Sequence, residues 1–152
     1  MLKGIDPLIG PDLLRVLARM GHGDEIVLAD ANFPAASIAR QTVETQELRI
    51  DCDAIRALHA VLSLLPLDSY LPDPVLTMQV VGDPAQVPAV VAEAAPLLAA
   101  EGVTPTALER FAFYDRATRA FAVLRTAETR AYGNFILRKG VIDNPKTKAF
   151  VS

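Results

Sequence analysis

Two short polar segments flank one apolar run near the start of the chain. They are Gly21-His22-Gly23-Asp24 and Asp30-Ala31-Asn32-Phe33-Pro34. A histidine between two glycines has no bulky neighbours, so a small molecule can approach its ring closely. Imidazole also titrates near neutrality in its ordinary state, which suits it to donate or accept a proton. The alternative is an exposed loop histidine in a glycine-rich helix stop. Asp30 stands just past the carboxyl end of the apolar run, where open α/β sheets bind their ligands. Against that, Asp30 and Asn32 could merely cap the following turn through side-chain to backbone hydrogen bonds.

Late in the chain come Arg110-Phe111-Ala112-Phe113-Tyr114-Asp115-Arg116 and Tyr132-Gly133-Asn134. An aromatic ring stacks on the apolar face of a sugar, while phenol, amide and carboxylate groups hydrogen-bond its hydroxyls. For Phe111 and Phe113, core packing at helical spacing is the better reading, and Tyr132-Gly133-Asn134 reads equally as a polar loop between strands. His59 lies within an apolar helix and is read as structural. Cys52 has no histidine beside it and is read as inert. No glycine-rich phosphate loop, no Gly-x-Ser-x-Gly elbow and no His-Glu-x-x-His occurs, so no metal site and no cofactor is expected.

These residues need elements to position them. Pro11 opens a helix at the position proline tolerates best, with Leu13, Leu17 and Met20 on one face and Gly21 as its stop. Glu25 to Ala29 reads as a short buried strand. A helix is expected from an Asp51 cap to Pro66, a strand over Val75 to Val81, and helices from Pro88 to Glu101 and from Arg110 to Arg119. Ala120 to Leu124 and Phe135 to Leu137 read as further strands. Helices alternating with continuously apolar strands suit a three-layer α/β/α fold around one central sheet. The last two strands are joined by too few residues for a helical crossover, so the sheet is expected to be mixed, though mostly parallel.

Length and charge bound the rest. At 152 residues the chain is expected to form one domain, residues 1–152, with a possible tail over 144–152. Fifteen Lys and Arg against eighteen Asp and Glu give a formal charge of -3, so no basic field for nucleic acid exists. One cysteine excludes an internal disulfide. No run approaches membrane-spanning length and the start lacks a signal-peptide stretch, so a cytoplasmic location is expected. Hydrophobic residues reach 51%, which hints that part of the surface is covered by other copies of the chain.

The motifs Met20-Gly-His-Gly-Asp24, Ala29-Asp-Ala-Asn-Phe-Pro-Ala35, Leu67-Asp-Ser-Tyr70, Arg110-Phe-Ala-Phe-Tyr-Asp-Arg116 and Tyr132-Gly-Asn134 occur in order and without large gaps. Together they resemble the fucose mutarotase and ribose pyranase family, on its fucose branch. The resemblance implies a cofactor-free isomerase that interconverts sugar anomers, L-fucose being the expected substrate, with ribose pyranase or a non-catalytic sugar-binding protein as alternatives. It implies His22 as proton donor, and Asp30, Arg110, Tyr132 and Asn134 as sugar-binding residues. Asp68, Met78 and Tyr114 match further substrate-contacting positions. It also implies closed homo-oligomeric rings, commonly decamers of two pentamers. Some fucose-type relatives carry a second histidine where this chain has Asn32 and Ala36.

The chemistry needs a proton delivered to the ring oxygen and another removed from the anomeric hydroxyl. His22 is the expected acid, with Asp30 or a Tyr132-linked water as base. His22 and Asp30 flank a strand of about five residues, so at about 3.3 Å per residue they lie on the order of 16 Å apart. A monosaccharide is much shorter, so neighbouring subunits are expected to share the site.

Overall fold

The most apolar runs of the sequence become the interior strands. The structure, a computed structural model, describes residues 1–143. The expected tail from Asn144 to Ser152 lies outside the described residues. Six strands form one sheet: β1 (Glu25–Ala29), β2 (Leu48–Arg49), β3 (Val75–Met78), β4 (Thr106–Leu108), β5 (Ala122–Arg125) and β6 (Phe135–Arg138). Their order is β2-β5-β1-β6-β3-β4. β1 pairs in parallel with β5, β2 with β5 and β3 with β4, whereas β6 runs antiparallel to both β1 and β3. Five strands therefore point one way, and β6 alone points back between two of them. The sheet is mixed and mostly parallel, as expected.

Strand side chains alternate between two cores. Ile26 and Leu28 of β1, Val75 of β3, and Phe135 and Leu137 of β6 face one layer. That layer holds α1 (Pro11–Arg19), α3 (Ala54–Leu62) and α4 (Ala89–Ala100). Val27 and Ala29, Leu76 and Met78, Val123 and Ile136 face the other, with α2 (Ala35–Ala39) and α5 (Arg110–Thr118). Burial on both faces explains why these strands read as unbroken apolar runs.

Several boundaries differ from the sequence reading. Asp53, not Asp51, caps α3 by accepting the Arg56 N–H at 2.8 Å. Backbone bonds from the Ile50 N–H to the Arg125 carbonyl and from the Ala127 N–H to the Cys52 carbonyl tie residues 50–52 to the end of β5, delaying the helix. β3 stops at Met78 because the chain turns through Gly82, whose φ of +80° only glycine adopts freely. Strands β2 and β4 and helix α2 were not expected. All three are short, and β4 is only partly buried, so none carries a full hydrophobic period.

Candidate active site

Strand polarity gathers one set of residues at one end of the sheet. Asp30 follows β1, Met78 ends β3, and Arg110 opens α5 just beyond β4. Tyr132 and Asn134 precede β6, whose reversal brings its amino end to the same place. A cavity of about 200 Å³ is lined there by Asp30, Met78, Arg110, Tyr114, Tyr132 and Asn134, with Asn32, Phe33, Val81 and Ala131 completing the wall. That is below the roughly 300–1,000 Å³ of drug-sized sites, so it suits a small ligand.

Asp30 is buried, and Asn134 holds it twice. The Asp30 N–H donates to Asn134 Oδ1 at 2.8 Å, and Asn134 Nδ2 donates to Asp30 Oδ2 at 3.0 Å. The Asn32 N–H donates to Asp30 Oδ1 at 3.0 Å. Burial pushes the Asp30 carboxyl above its ordinary pKa, while the Asn32 N–H and the Asn134 amide pull it back down. Asp30 thus caps its turn through the Asn32 N–H and also lines the cavity. The Arg110 guanidinium lies 4.7 Å from the Phe111 ring centroid, and its Nε is buried without a protein partner.

Tyr132 adopts a left-handed backbone (φ 62°), rare for a side-chain-bearing residue, and its hydroxyl accepts the Val81 N–H at 3.1 Å. Phe33 packs edge-on against Tyr114 and Phe113, at 5.5 and 6.0 Å between centroids. Phe113 is fully buried as core packing requires, but Phe111 is exposed. Two helical residues apart means about 200° of rotation, so the pair cannot share the core face.

His22 and Asp68 stand at the other end of β1. Gly23, at φ 87°, turns the chain behind His22, whose Nε2 lies 3.1 Å from Asp68 Oδ1. The Tyr70 ring meets the imidazole edge-on at 5.3 Å. The Asp68 side chain is fully buried, while that of His22 is 46% exposed. Asp68 Oδ2 accepts Arg138 Nε at 2.8 Å, and Oδ1 also accepts the Tyr70 N–H at 3.0 Å. The Tyr70 N–H, His22 and Arg138 together hold the Asp68 carboxyl well below the usual carboxylate range. With Nε2 turned to Asp68, Nδ1 is the ring nitrogen that makes no protein hydrogen bond among the described residues.

Sequence reasoning missed the supports of this loop. Lys139 Nζ donates to the carbonyls of Leu17 and Met20 at 2.7 and 2.6 Å, closing the end of α1, and the Gly23 N–H donates to the Lys139 carbonyl. A basic residue beside a helix end is a recognised signal, but only where the two are close in sequence. His59 is exposed on α3, and burial pushes the half-buried Cys52 thiol up. Among the described residues, no three His, Cys, Asp or Glu side chains converge as a metal site would require. No helix among them is long and apolar enough to cross a membrane.

The comparisons agree with this architecture. The chain is 50% identical over 147 residues to the fucose mutarotase of Homo sapiens, covering 93% of this chain and 94% of that protein. The crystal structure of FucU from Bifidobacterium longum superposes with a TM-score of 0.84 at 38% identity, covering 93% of this chain and all of the other. The fucose mutarotase of Streptococcus pneumoniae, solved in complex with L-fucose, gives 0.80 at 41% identity over 93% of this chain and 100% of that one. Residues 3–142 match the family described as the RbsD / FucU transport protein family. By that match, and by close relatives of nearly equal length, the chain belongs to the RbsD / FucU family.

Proposed function

We propose that this protein is an L-fucose mutarotase, interconverting the α and β anomers of the sugar by acid–base ring opening. The observation that carries the reading is the half-identity to a fucose mutarotase, together with the small polar cavity at the strand ends. His22 gives a proton to the ring oxygen through Nδ1. A base takes the proton from the anomeric hydroxyl, the bond from C1 to the ring oxygen breaks, and the open aldehyde forms. Rotation about the C1–C2 bond and reclosure on the other face return both protons. Asp30 is the base in this scheme, directly or through a water held by Tyr132. Its raised pKa makes it a better proton acceptor than an ordinary carboxylate. Arg110, Tyr132, Asn134, Met78 and Tyr114 bind and orient the sugar. Asp68 touches the sugar only where a hydroxyl reaches the carboxylate shared with His22.

The two halves of this machinery flank β1, which at about 3.3 Å per residue spans roughly 16 Å. One sugar cannot bridge that distance, so the His22 end of one protomer faces the Asp30 end of a neighbour. The protein is then a ring-shaped homo-oligomer, with a decamer as the family-based expectation, and acts in the cytoplasm.

Saturation-transfer NMR of L-fucose at anomeric equilibrium tests the activity. Exchange rates must rise with protein, and equal rates with and without it would leave only a sugar-binding role. The shared site is tested by mixing His22→Ala and Asp30→Asn chains after dissociation. If neighbours share sites, about a quarter of the sites regain both groups, and activity returns. If each site lies within one chain, the mixture stays dead.

A further inference from the structure

The loop from β5 to β6 carries Tyr132 and Asn134, yet its most connected residue faces away from the cavity. Glu128 is 3% exposed and does not line the site. Its Oε1 accepts the Arg130 N–H at 3.0 Å and Arg130 Nε at 2.8 Å, and its Oε2 accepts Arg130 Nη2 and the Ala54 N–H, both at 3.1 Å. Those four donors hold the carboxyl down to about 2. Arg130 continues outward to Glu93 of α4 at 2.5 Å, so the loop is tied to α3 and α4 together.

The backbone of the same loop grips both sides of Asp30. Thr126 donates to the Ala29 carbonyl through its N–H and its hydroxyl, each at 2.9 Å, and the Ala31 N–H donates to the Glu128 carbonyl at 2.8 Å. The Glu128 N–H returns to Thr126 Oγ1 at 3.1 Å. Above the Glu128 side chain sits Gly133. A Cβ there would lie 2.8 Å from Glu128 Cγ, closer than real contacts allow, and 3.6 Å from Asp30 Cβ. The carboxylate stem is therefore the floor on which the left-handed Tyr132 and the following glycine rest.

We infer that Glu128 is a positioning residue of the sugar site: its buried carboxylate fixes the turn that presents Tyr132 and Asn134, and it touches no substrate. The inference rests on the proposed sugar site and adds a residue that acts on binding from outside the cavity. The argument is one of direction. Every bond of Glu128 ends on the loop, on Ala31 or on the start of α3, whereas His22 and its supports lie beyond the other end of β1. Loss of the carboxylate should therefore loosen sugar binding more than it slows proton transfer.

The test uses the full-length oligomer with Glu128→Ala, Glu128→Gln and Arg130→Met. Three readouts are taken: saturation-transfer exchange against L-fucose concentration, calorimetric L-fucose binding, and the amide shift of Val81, which reports the Tyr132 hydroxyl. In Glu128→Ala, KM and Kd should rise about tenfold with kcat within about threefold, and the Val81 amide should move. Glu128→Gln keeps the shape and the acceptor for Ala54 and should recover most of the loss. Arg130→Met, altered at the surface, should fall between them and keeps the test open if Glu128→Ala fails to fold. Unchanged KM and Kd would overturn the inference, and so would parallel loss of kcat and KM that Gln does not restore. Absence of exchange with the wild-type protein would instead overturn the mutarotase reading, and the Kd and Val81 readouts would still decide Glu128.

Discussion

Asn134→Ala removes a side chain that makes two bonds to one residue, so its cost can be worked from the structure. The amide oxygen accepts the Asp30 N–H at 2.8 Å, a neutral bond contributing about 1 kcal/mol. The amide nitrogen donates to Asp30 Oδ2 at 3.0 Å, a bond to a charged group contributing roughly 1.5–3 kcal/mol. Both residues are buried, and alanine offers neither partner. The sum is about 3 kcal/mol, which for a chain of this length lowers Tm by roughly 6–12 °C. The same deletion removes a donor that pulls the Asp30 pKa down, leaving burial less opposed. If Asp30 must be ionised to accept the anomeric proton, the acid limb of the exchange profile moves to higher pH. Calorimetry at fixed protein concentration reads the first effect, and saturation transfer across pH reads the second. A Tm loss below about 2 °C would refute the energetic argument. An acid limb that stays in place would remove Asp30 from the proton path.

Other perturbations separate chemistry from structure. His22→Ala should cut exchange by roughly 10²–10⁴-fold and also lower Tm modestly, because the half-exposed ring bonds the buried Asp68 carboxylate and meets Tyr70 edge-on; retained exchange would mean that another group supplies the proton. Gly140→Ala places a Cβ 2.5 Å from the Leu67 carbonyl oxygen and 2.8 Å from Asp68 Cα, so urea unfolding should show a loss of about 1–3 kcal/mol. Unaltered stability there would contradict the close backbone approach. Glu128, with its pKa depressed from 4.5 to about 2, adds stability that is complete above about 4.5 and fades as pH falls towards about 2. Because Arg130 is 41% exposed, solvent screening reduces that contribution to about 1–2 kcal/mol, and the stability gap between wild type and Glu128→Gln should close on acidification. A gap independent of pH would show that the charge is not what matters.

What could be read in the sequence follows from how local each signal is. β1 was legible to the residue, since four consecutive apolar residues after Glu25, buried on both sides, read as a strand between Gly23 and Asp30. The place of Asp30 just past β1 was legible because a strand's end is itself a local feature. The alternation that sends Ile26 to one core and Val27 to the other was hidden by their equal hydrophobicity. β2 and β4 pair through two and three residues only, below any periodic signal. Arg138 bonds Asp68 across 70 positions and Lys139 bonds Leu17 across 122, so no window along the chain contains both partners. Asp68 came from the family motif, and the structure adds that it is shared between His22 and Arg138.

One topological choice ties these observations together. Had β6 run parallel with its neighbours, the Tyr132-Gly133-Asn134 turn would open at the amino ends of β1 and β3, beside His22 and far from Asp30. Running antiparallel, β6 sets Asn134 against Asp30 at one end and Arg138 and Lys139 against the His22 loop at the other. A strand of four fully buried residues is stiff, so the spacing between the two half-sites is fixed within each protomer. If the protein assembles as the closed ring proposed above, that fixed spacing lets every subunit present its His22 end to one neighbour and its Asp30 end to another in the same geometry. An insertion or deletion within Phe135–Arg138 that keeps the fold but shifts the strand's register should therefore disturb the Asn134–Asp30 contact and the His22 loop together, whereas changes in either loop disturb only one.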